Sequence, residues 1–310
     1  MPRFSVVIAA YNAQATIESA VRSALSQTLR DLEVIVVDDG STDGTVGVVT
    51  EIDDPRLRLV QRPNGGPSAA RNSGALAAKG ELVAFLDGDD LWLPSYAERA
   101  CAAMDANPDA NLVYTDGYVF ESGSGRVLLR TAMGLMHPPD PTPADRDNFL
   151  TELLKRNFVY NSVTVRASVL AEVGGYDETL SEGEDYELWL RMVLRGYVPV
   201  WMGGVYGLYR WHAGQAVRNR MKTSRWEVTV FRRLASQTLP RPEHSELVRA
   251  RLARAERVLE MPMGRRRVRY LLRRARRFPT WLARRSGPEQ LWRDEPPPDV
   301  RAVFPDLAAV

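Results

Sequence analysis

Three carboxylates, Asp87, Asp89 and Asp90, follow directly on the apolar run Leu82 to Leu86. Acids crowded at the end of a buried strand repel one another unless a cation or hydrogen-bond donors satisfy them. Oxygen-only ligands of this kind suit a hard divalent ion, Mg²⁺ or Mn²⁺. The plainer reading is a turn leading into a helix N-cap, which accounts for Asp90 alone but not for all three acids. Two further acid pairs fall at comparable places. Asp38–Asp39 ends the run Leu32 to Val37, and Glu184–Asp185 opens the helical pattern Tyr186 to Arg195. Paired acids on separate elements are the raw material of metal binding and general-base chemistry.

The elements that must carry these groups alternate in type. Phe4 to Ala10, Leu32 to Val37, Leu57 to Gln61 and Leu82 to Leu86 read as strands, the first buried, the third weaker and the fourth buried on both faces. Helical patterns follow at Ala15 to Gln27, from Pro67 to about Lys79, and after Pro94. This alternation implies crossover connections and a largely parallel sheet. Ligands of such sheets sit beyond the carboxyl ends of the strands. Tyr11–Asn12, Asp38–Asp39 and Asp87–Asp90 all lie there, and should meet at one rim. No G-x-G-x-x-G follows the first strand and no G-K-[ST] occurs, so nucleotide binding, if present, must run through acids and a metal.

Further along, Leu112 to Asp116 and Val163 to Arg166 read as strands. The stretch His137 to Pro143, with four prolines, reads as a surface loop suited to a lid. Gly196 stops the helix that Tyr186 begins, and Tyr209-Arg210-Trp211-His212 follows a glycine-rich turn. Beyond Arg218 the pattern is helical and basic. Val248, Leu252, Ala255 and Leu259 make one apolar stripe; Val268, Leu271, Leu272, Ala275 and Phe278 make a second. A proline-rich tail from Pro296 is expected to be poorly ordered.

Composition bounds the rest. With 310 residues, 45% hydrophobic and 26% charged, the chain has ample core material. Its net charge of +2 is unevenly spread. Residues 241–310 hold 17 arginines and 9 acids, a net +8, which leaves −6 on residues 1–240. Cys101 is the single cysteine, so neither an intrachain disulfide nor a thiolate cluster is expected, in keeping with a reducing cytosol. The apolar run at Phe4 is too short for a secretory leader, and no stretch approaches a membrane span. A cytoplasmic protein is expected, peripheral at the inner membrane face if its basic end docks there.

The motifs VVIAAYNA, VVDDGSTDGT, RPNGGPSAARNSG, FLDGDDLW, GGYDE and GEDYELWLR occur in an order that resembles glycosyltransferase family 2 over residues 3–215. The resemblance implies a GT-A fold: a Rossmann-like, mostly parallel α/β sheet flanked by helices. The catalytic domain would span 1–220, with a nucleotide-sugar half over 1–116 and an acceptor half over 117–220. A helical, arginine-rich extension would fill 221–310. It implies an inverting transfer from a nucleoside-diphosphate sugar to a saccharide or lipid-linked saccharide, as in cell-surface polysaccharide or glycolipid synthesis.

By the same resemblance Ala10, Tyr11, Asp39, Arg71 and Asp87 bind the nucleotide sugar. Asp89 and His212 hold the divalent metal, and Asp185 is the general base. Each has a plainer alternative: a turn aspartate for Asp39, a solvated helix arginine for Arg71, a buried neutral histidine for His212. For Asp185 the alternative is a helix cap, and in that first turn the helix dipole is expected to keep its carboxylate ionised. Trp92 and Trp189 read as core.

Rival classes explain less. An α/β oxidoreductase lacks its glycine fingerprint. A nucleic-acid binder would use the basic end but leaves every acidic motif unexplained, and that end lacks interleaved aromatics; no nucleic-acid partner is expected. A nucleotide-sugar binder without activity would have no need of Asp185.

Overall fold

The structure, a computed structural model, describes residues 1–122, 124–129, 146–159, 162–211, 220–260 and 303. The proline-rich stretch 137–143, His212 and both the second stripe and the tail of the basic end lie outside them. Two compact units are present: Met1–Gln215 with Pro297–Val310, and Ala216–Pro296.

Among the described residues the first unit is built on a nine-stranded sheet in the order β3-β2-β1-β4-β8-β6-β9-β5, with β7 (Val127–Leu129) paired to β6. The strands β1 (Phe4–Ala10), β2 (Leu32–Asp38) and β4 (Leu82–Asp87) are almost wholly buried, as their largely apolar runs require; β3 (Leu57–Gln61) is a half-buried edge. These four pair in parallel. The helices α1 (Ile17–Leu25), α2 (Thr45–Thr50) and α3 (Pro67–Ala77) lie between them in sequence. The chain steps outward from β1 to β2 to β3, then returns to β4 on the other side of β1. That reversal makes the β1/β4 boundary the switch point at which α/β sheets open a ligand crevice. Register brings the carboxyl ends together: Ala10 lies opposite Asp38, and Ala9 opposite Asp87.

Past β4 the sheet becomes mixed. β8 (Val163–Arg166) runs antiparallel to both β4 and β6, and β6 and β9 run parallel to each other. The strand expected over Leu112–Asp116 is part of the longer β6 (Ala110–Glu121). The glycine-rich turn expected before Tyr209 is instead a bulge inside β9 (Val198–Trp211). There the pairing jumps from Tyr114↔Trp201 to Asp116↔Val205, and Thr115 Oγ1 donates to the Gly204 carbonyl at 2.8 Å. Likewise Pro94 does not open its helix directly. Leu91–Trp92 forms the short strand β5 on β9, and α4 begins at Tyr96 and ends at Ala106. Trp92 is core as expected, stacked on Tyr96 with its indole N–H on Ser162 Oγ at 3.1 Å.

Helix α3 is seated by its glycine. A Cβ on Gly74 would lie 2.2 Å from Val7 Cγ1, so the helix axis approaches β1 more closely than any side chain permits. Three further helices complete the described part of this unit: α5 (Arg146–Lys155), α6 (Ala167–Val173) and α7 (Glu184–Leu194). The Tyr186 hydroxyl on the Leu153 carbonyl joins α7 to α5.

The second unit contains α8 (Arg220–Ala235) and α9 (Pro242–Glu260), joined by ion pairs Arg251–Glu227 and Arg232–Glu256, with Arg251 over the Phe231 ring at 4.7 Å. Of the first apolar stripe, Val248 and Ala255 are buried and Leu252 and Leu259 half-buried. No described helix is long and apolar enough to cross a membrane.

Candidate active site

The rim predicted from the strand ends is assembled by loops that hydrogen-bond across it. Asn12, in the left-handed region at φ 49°, donates its N–H to Ser41 Oγ at 2.9 Å and accepts the Thr42 N–H on Oδ1 at 2.8 Å. Ala13 N–H donates to Thr45 Oγ1 at 2.8 Å. The Y-N-A-Q and G-S-T-D-G-T loops are therefore one interlocked wall. Ala10 is buried in it, and Tyr11 stands 54% exposed.

The two aspartates after β2 divide the work. Asp38 accepts the Ser41 N–H at 3.3 Å and shapes the turn. Asp39 is buried, and its carboxylate accepts the Arg62 guanidinium and the N–H groups of Gly65 (3.1 Å) and Gly66 (2.7 Å). It thus orders the R-P-N-G-G loop that leads into α3.

Asp87 ends β4 and Asp89 and Asp90 follow in the turn. Among the described residues these three offer carboxylate oxygens within 4.8 Å of one another. The set is all hard oxygen, and its convergence at the switch point fits a divalent cation. Asp90 is the most enclosed. Its Oδ1 accepts the Arg210 N–H at 2.8 Å. Burial first, then the charges of Asp89 and Asp87, hold its pKa well above the usual carboxylate range.

Arg71, projecting from α3, is not a solvated helix arginine. It is 11% exposed and bridges two acids, donating Nη2 to Asp87 Oδ1 at 2.6 Å and Nη1 to Glu184 Oε1 at 2.7 Å. Its guanidinium lies 5.4 Å from the Tyr176 ring centre. Burial works against its charge, but Asp87, Tyr176 and Glu184 outweigh that and raise its pKa well above the ordinary arginine value. The neighbouring Asn72 clamps the G-G-Y-D-E turn. Its side chain donates to the Tyr176 carbonyl (3.0 Å) and to Glu178 (2.8 Å), and accepts the Tyr176 N–H (2.8 Å). Gly175, at φ 68°, admits this contact: a Cβ there would lie 2.5 Å from Asn72 Oδ1. The R-N dipeptide of α3 therefore ties the rim to the elements that present Asp185.

Asp185 occupies the first turn of α7, beside Glu184. The dipole does not dominate its ionisation as expected. Burial, then the charge of Glu184, push its pKa up to about 7, against the Tyr186 N–H bond at 2.6 Å and the charge of Arg71, which lower it. A carboxylate poised there can accept a proton near neutrality.

Several site residues escaped sequence reasoning. Glu184 stands out in sequence only as the acid beside Asp185, and nothing there assigns a role to Arg62 or Asn72. Arg210 sat in the Y-R-W-H motif behind the histidine that drew attention. The available signal was placement: an arginine within an apolar strand is buried only with partners.

The family model described as Glycosyl transferase family 2 matches residues 5–168. The chain belongs to this family. Its relatives include the Escherichia coli UDP-Glc:alpha-D-GlcNAc-diphosphoundecaprenol beta-1,3-glucosyltransferase WfaP, 30% identical over 225 residues that make up 72% of this chain and 82% of WfaP. Other curated relatives are much longer, and the chain spans only 19% to 55% of three of them. Among solved structures, Staphylococcus aureus TarS 1–349 in complex with UDP-GlcNAc aligns with a TM-score of 0.65 at 20% identity, covering 85% of this chain and 77% of that one. The Pyrobaculum calidifontis mannosyltransferase PcManGT, in complex with GDP-Man and Mn²⁺, aligns at 0.58 and 20% identity, over 95% and 88%. These likenesses establish the GT-A fold. The family match ends at residue 168, so Asp185 and Arg210 lie beyond it.

Proposed function

We propose that this family 2 chain transfers a sugar from a nucleoside-diphosphate sugar to a hydroxyl of a saccharide or lipid-linked saccharide, with inversion at the anomeric carbon. The observation that carries the reading is the bridge from the carboxylate rim through Arg71 to the Glu184–Asp185 pair. It joins a donor-binding cluster to a base of suitable pKa. WfaP acts, by its name, on UDP-Glc and a diphosphoundecaprenol-linked acceptor, which supports the same class of reaction here.

Asp89, with Asp87 beside it, would hold a divalent cation, and His212 is proposed as a further ligand. A bound Mg²⁺ or Mn²⁺ supplies charge neutralisation for the departing diphosphate. Ala10, Tyr11 and the wall around Asn12 receive the nucleotide, with Tyr11 offering an exposed ring. Asp39 meets the base by exchanging one of its loop donors or by holding the R-P-N-G-G loop against it. Arg71 orients Asp87 toward the ribose side. On the far side of the sugar, Asp185 accepts the proton of the acceptor hydroxyl as that oxygen bonds to the anomeric carbon. The bond to the diphosphate oxygen breaks in the same displacement, and the nucleoside diphosphate leaves. A single base without a second carboxylate nucleophile gives inversion.

The test has two stages. Nucleotide sugars are screened for Mn²⁺-dependent thermal stabilisation, and the best donor is then incubated with candidate acceptors. Donor-specific stabilisation and a product of inverted configuration are expected. A product of retained configuration would overturn the displacement; no stabilisation by any nucleotide sugar would overturn the donor class.

A further inference from the structure

Arg210 is a fully buried guanidinium, 1% exposed, beside the carboxylate cluster but in contact with its backbone. Taking such a charge out of water is unfavourable unless it is closely partnered. Its partners tie one turn to two neighbouring elements. Nε donates to the Asp89 carbonyl at 2.6 Å, Nη2 donates to Ser19 Oγ on α1 at 2.8 Å, and the guanidinium lies 5.0 Å from the Phe120 ring centre on β6. Its own N–H holds Asp90 Oδ1. The rest of the turn is tied as well: Asp90 N–H donates to the Asp87 carbonyl at 3.0 Å, and Thr16 Oγ1 donates to the Gly88 carbonyl at 2.8 Å. Three consecutive carbonyls thus bond on the protein side, and the backbone from which the Asp89 side chain departs is fixed.

We propose that Arg210 is a positioning residue for the divalent cation. Braced by Ser19 and Phe120, it locks the D-G-D-D turn so that the Asp87 and Asp89 carboxylates converge on one ion. The inference rests on the metal-dependent reading above and adds to it a residue that touches neither ion nor substrate. Lysine cannot replace it. Nε and Nη2 address two separate elements while the guanidinium plane packs on an aromatic ring, a geometry that a single ammonium does not reproduce.

The experiment titrates MnCl₂ by electron paramagnetic resonance into the full chain in the presence of UDP and, separately, GDP. Thermal unfolding is recorded for every variant. Arg210→Lys is expected to weaken the apparent Mn²⁺ affinity at least tenfold; Ser19→Ala and Phe120→Leu, which loosen the brace, are expected to weaken it two- to fivefold. A purely structural arginine would lower the unfolding temperature of all three while the folded protein kept Mn²⁺ affinity within twofold of the parent, and that result overturns the proposal. If Arg210→Lys does not fold, the brace variants decide: affinity unchanged in both overturns it, weakened affinity in both supports it. A parent chain that binds no Mn²⁺ with either nucleotide refutes the metal-dependent reading itself and this inference with it, an outcome separate from that of unaffected variants.

Discussion

At the scale of single residues the site is governed by its buried acids. Asp185 has its pKa pushed up to about 7 by burial and by Glu184, and a base works only when deprotonated. Activity is therefore expected above pH 7 and should fall as the pH drops through that value. A kcat/KM profile would show one acidic limb, belonging to Asp185. Glu184→Gln removes the charge that raises Asp185, so the limb should move to lower pH; a limb that stays in place would separate the two residues. Asp185→Asn keeps the shape and loses the basicity, so turnover should drop by about 10² or more with nucleotide binding retained. Asp89→Ala should abolish both transfer and Mn²⁺-dependent nucleotide binding, read by calorimetry, and full activity of that variant in EDTA would exclude a metal role.

At the scale of elements, α3 is the part that joins the two sides of the site. Its Arg71 pairs with Asp87 and Glu184, its Asn72 holds the turn at Tyr176, and its Gly74 lets it lie against β1. Gly74→Ala places a methyl group where Val7 already is, and overpacking of this kind costs about 1–3 kcal/mol. A lower denaturation midpoint is expected together with weaker nucleotide binding, because the helix that carries Arg71 must shift. Adding Val7→Ala should restore part of both. If stability falls while binding is unchanged, α3 is merely a packing element.

At the scale of the molecule, charge is segregated. Residues 1–240 carry a net −6 and residues 241–310 a net +8, with no acid between Arg265 and Arg285. We propose that the basic end draws the chain to an anionic membrane surface, where each arginine contributes on the order of 1 kcal/mol and salt weakens the attraction. The plainer reading is a solvated basic surface. Co-sedimentation with vesicles containing anionic lipid at low salt, lost at high salt or on deleting residues 265–310, is the expected result. A chain that stays in the supernatant throughout would leave the arginines as ordinary surface.

What the sequence by itself determined was the four parallel strands and the acids that follow β2 and β4. Short, largely apolar runs rich in β-branched residues read as buried strands, and alternation with helices puts their carboxyl ends on one side. The family resemblance was legible for the same reason, since four of its six motifs lie at or just beyond those strand ends. Tertiary structure decided the pairings. Nothing local joins Arg71 to Glu184, 113 positions away, or Arg210 to Asp89, 121 positions away. Nor could the pattern foresee that Gly203 and Gly204 form a bulge rather than a turn, since that depends on β6 lying alongside. The ionisation of Asp185 went the same way. The helix dipole is a local term visible in sequence, whereas burial and the charge beside it exist only once the chain is folded, and in this site they are the larger effect.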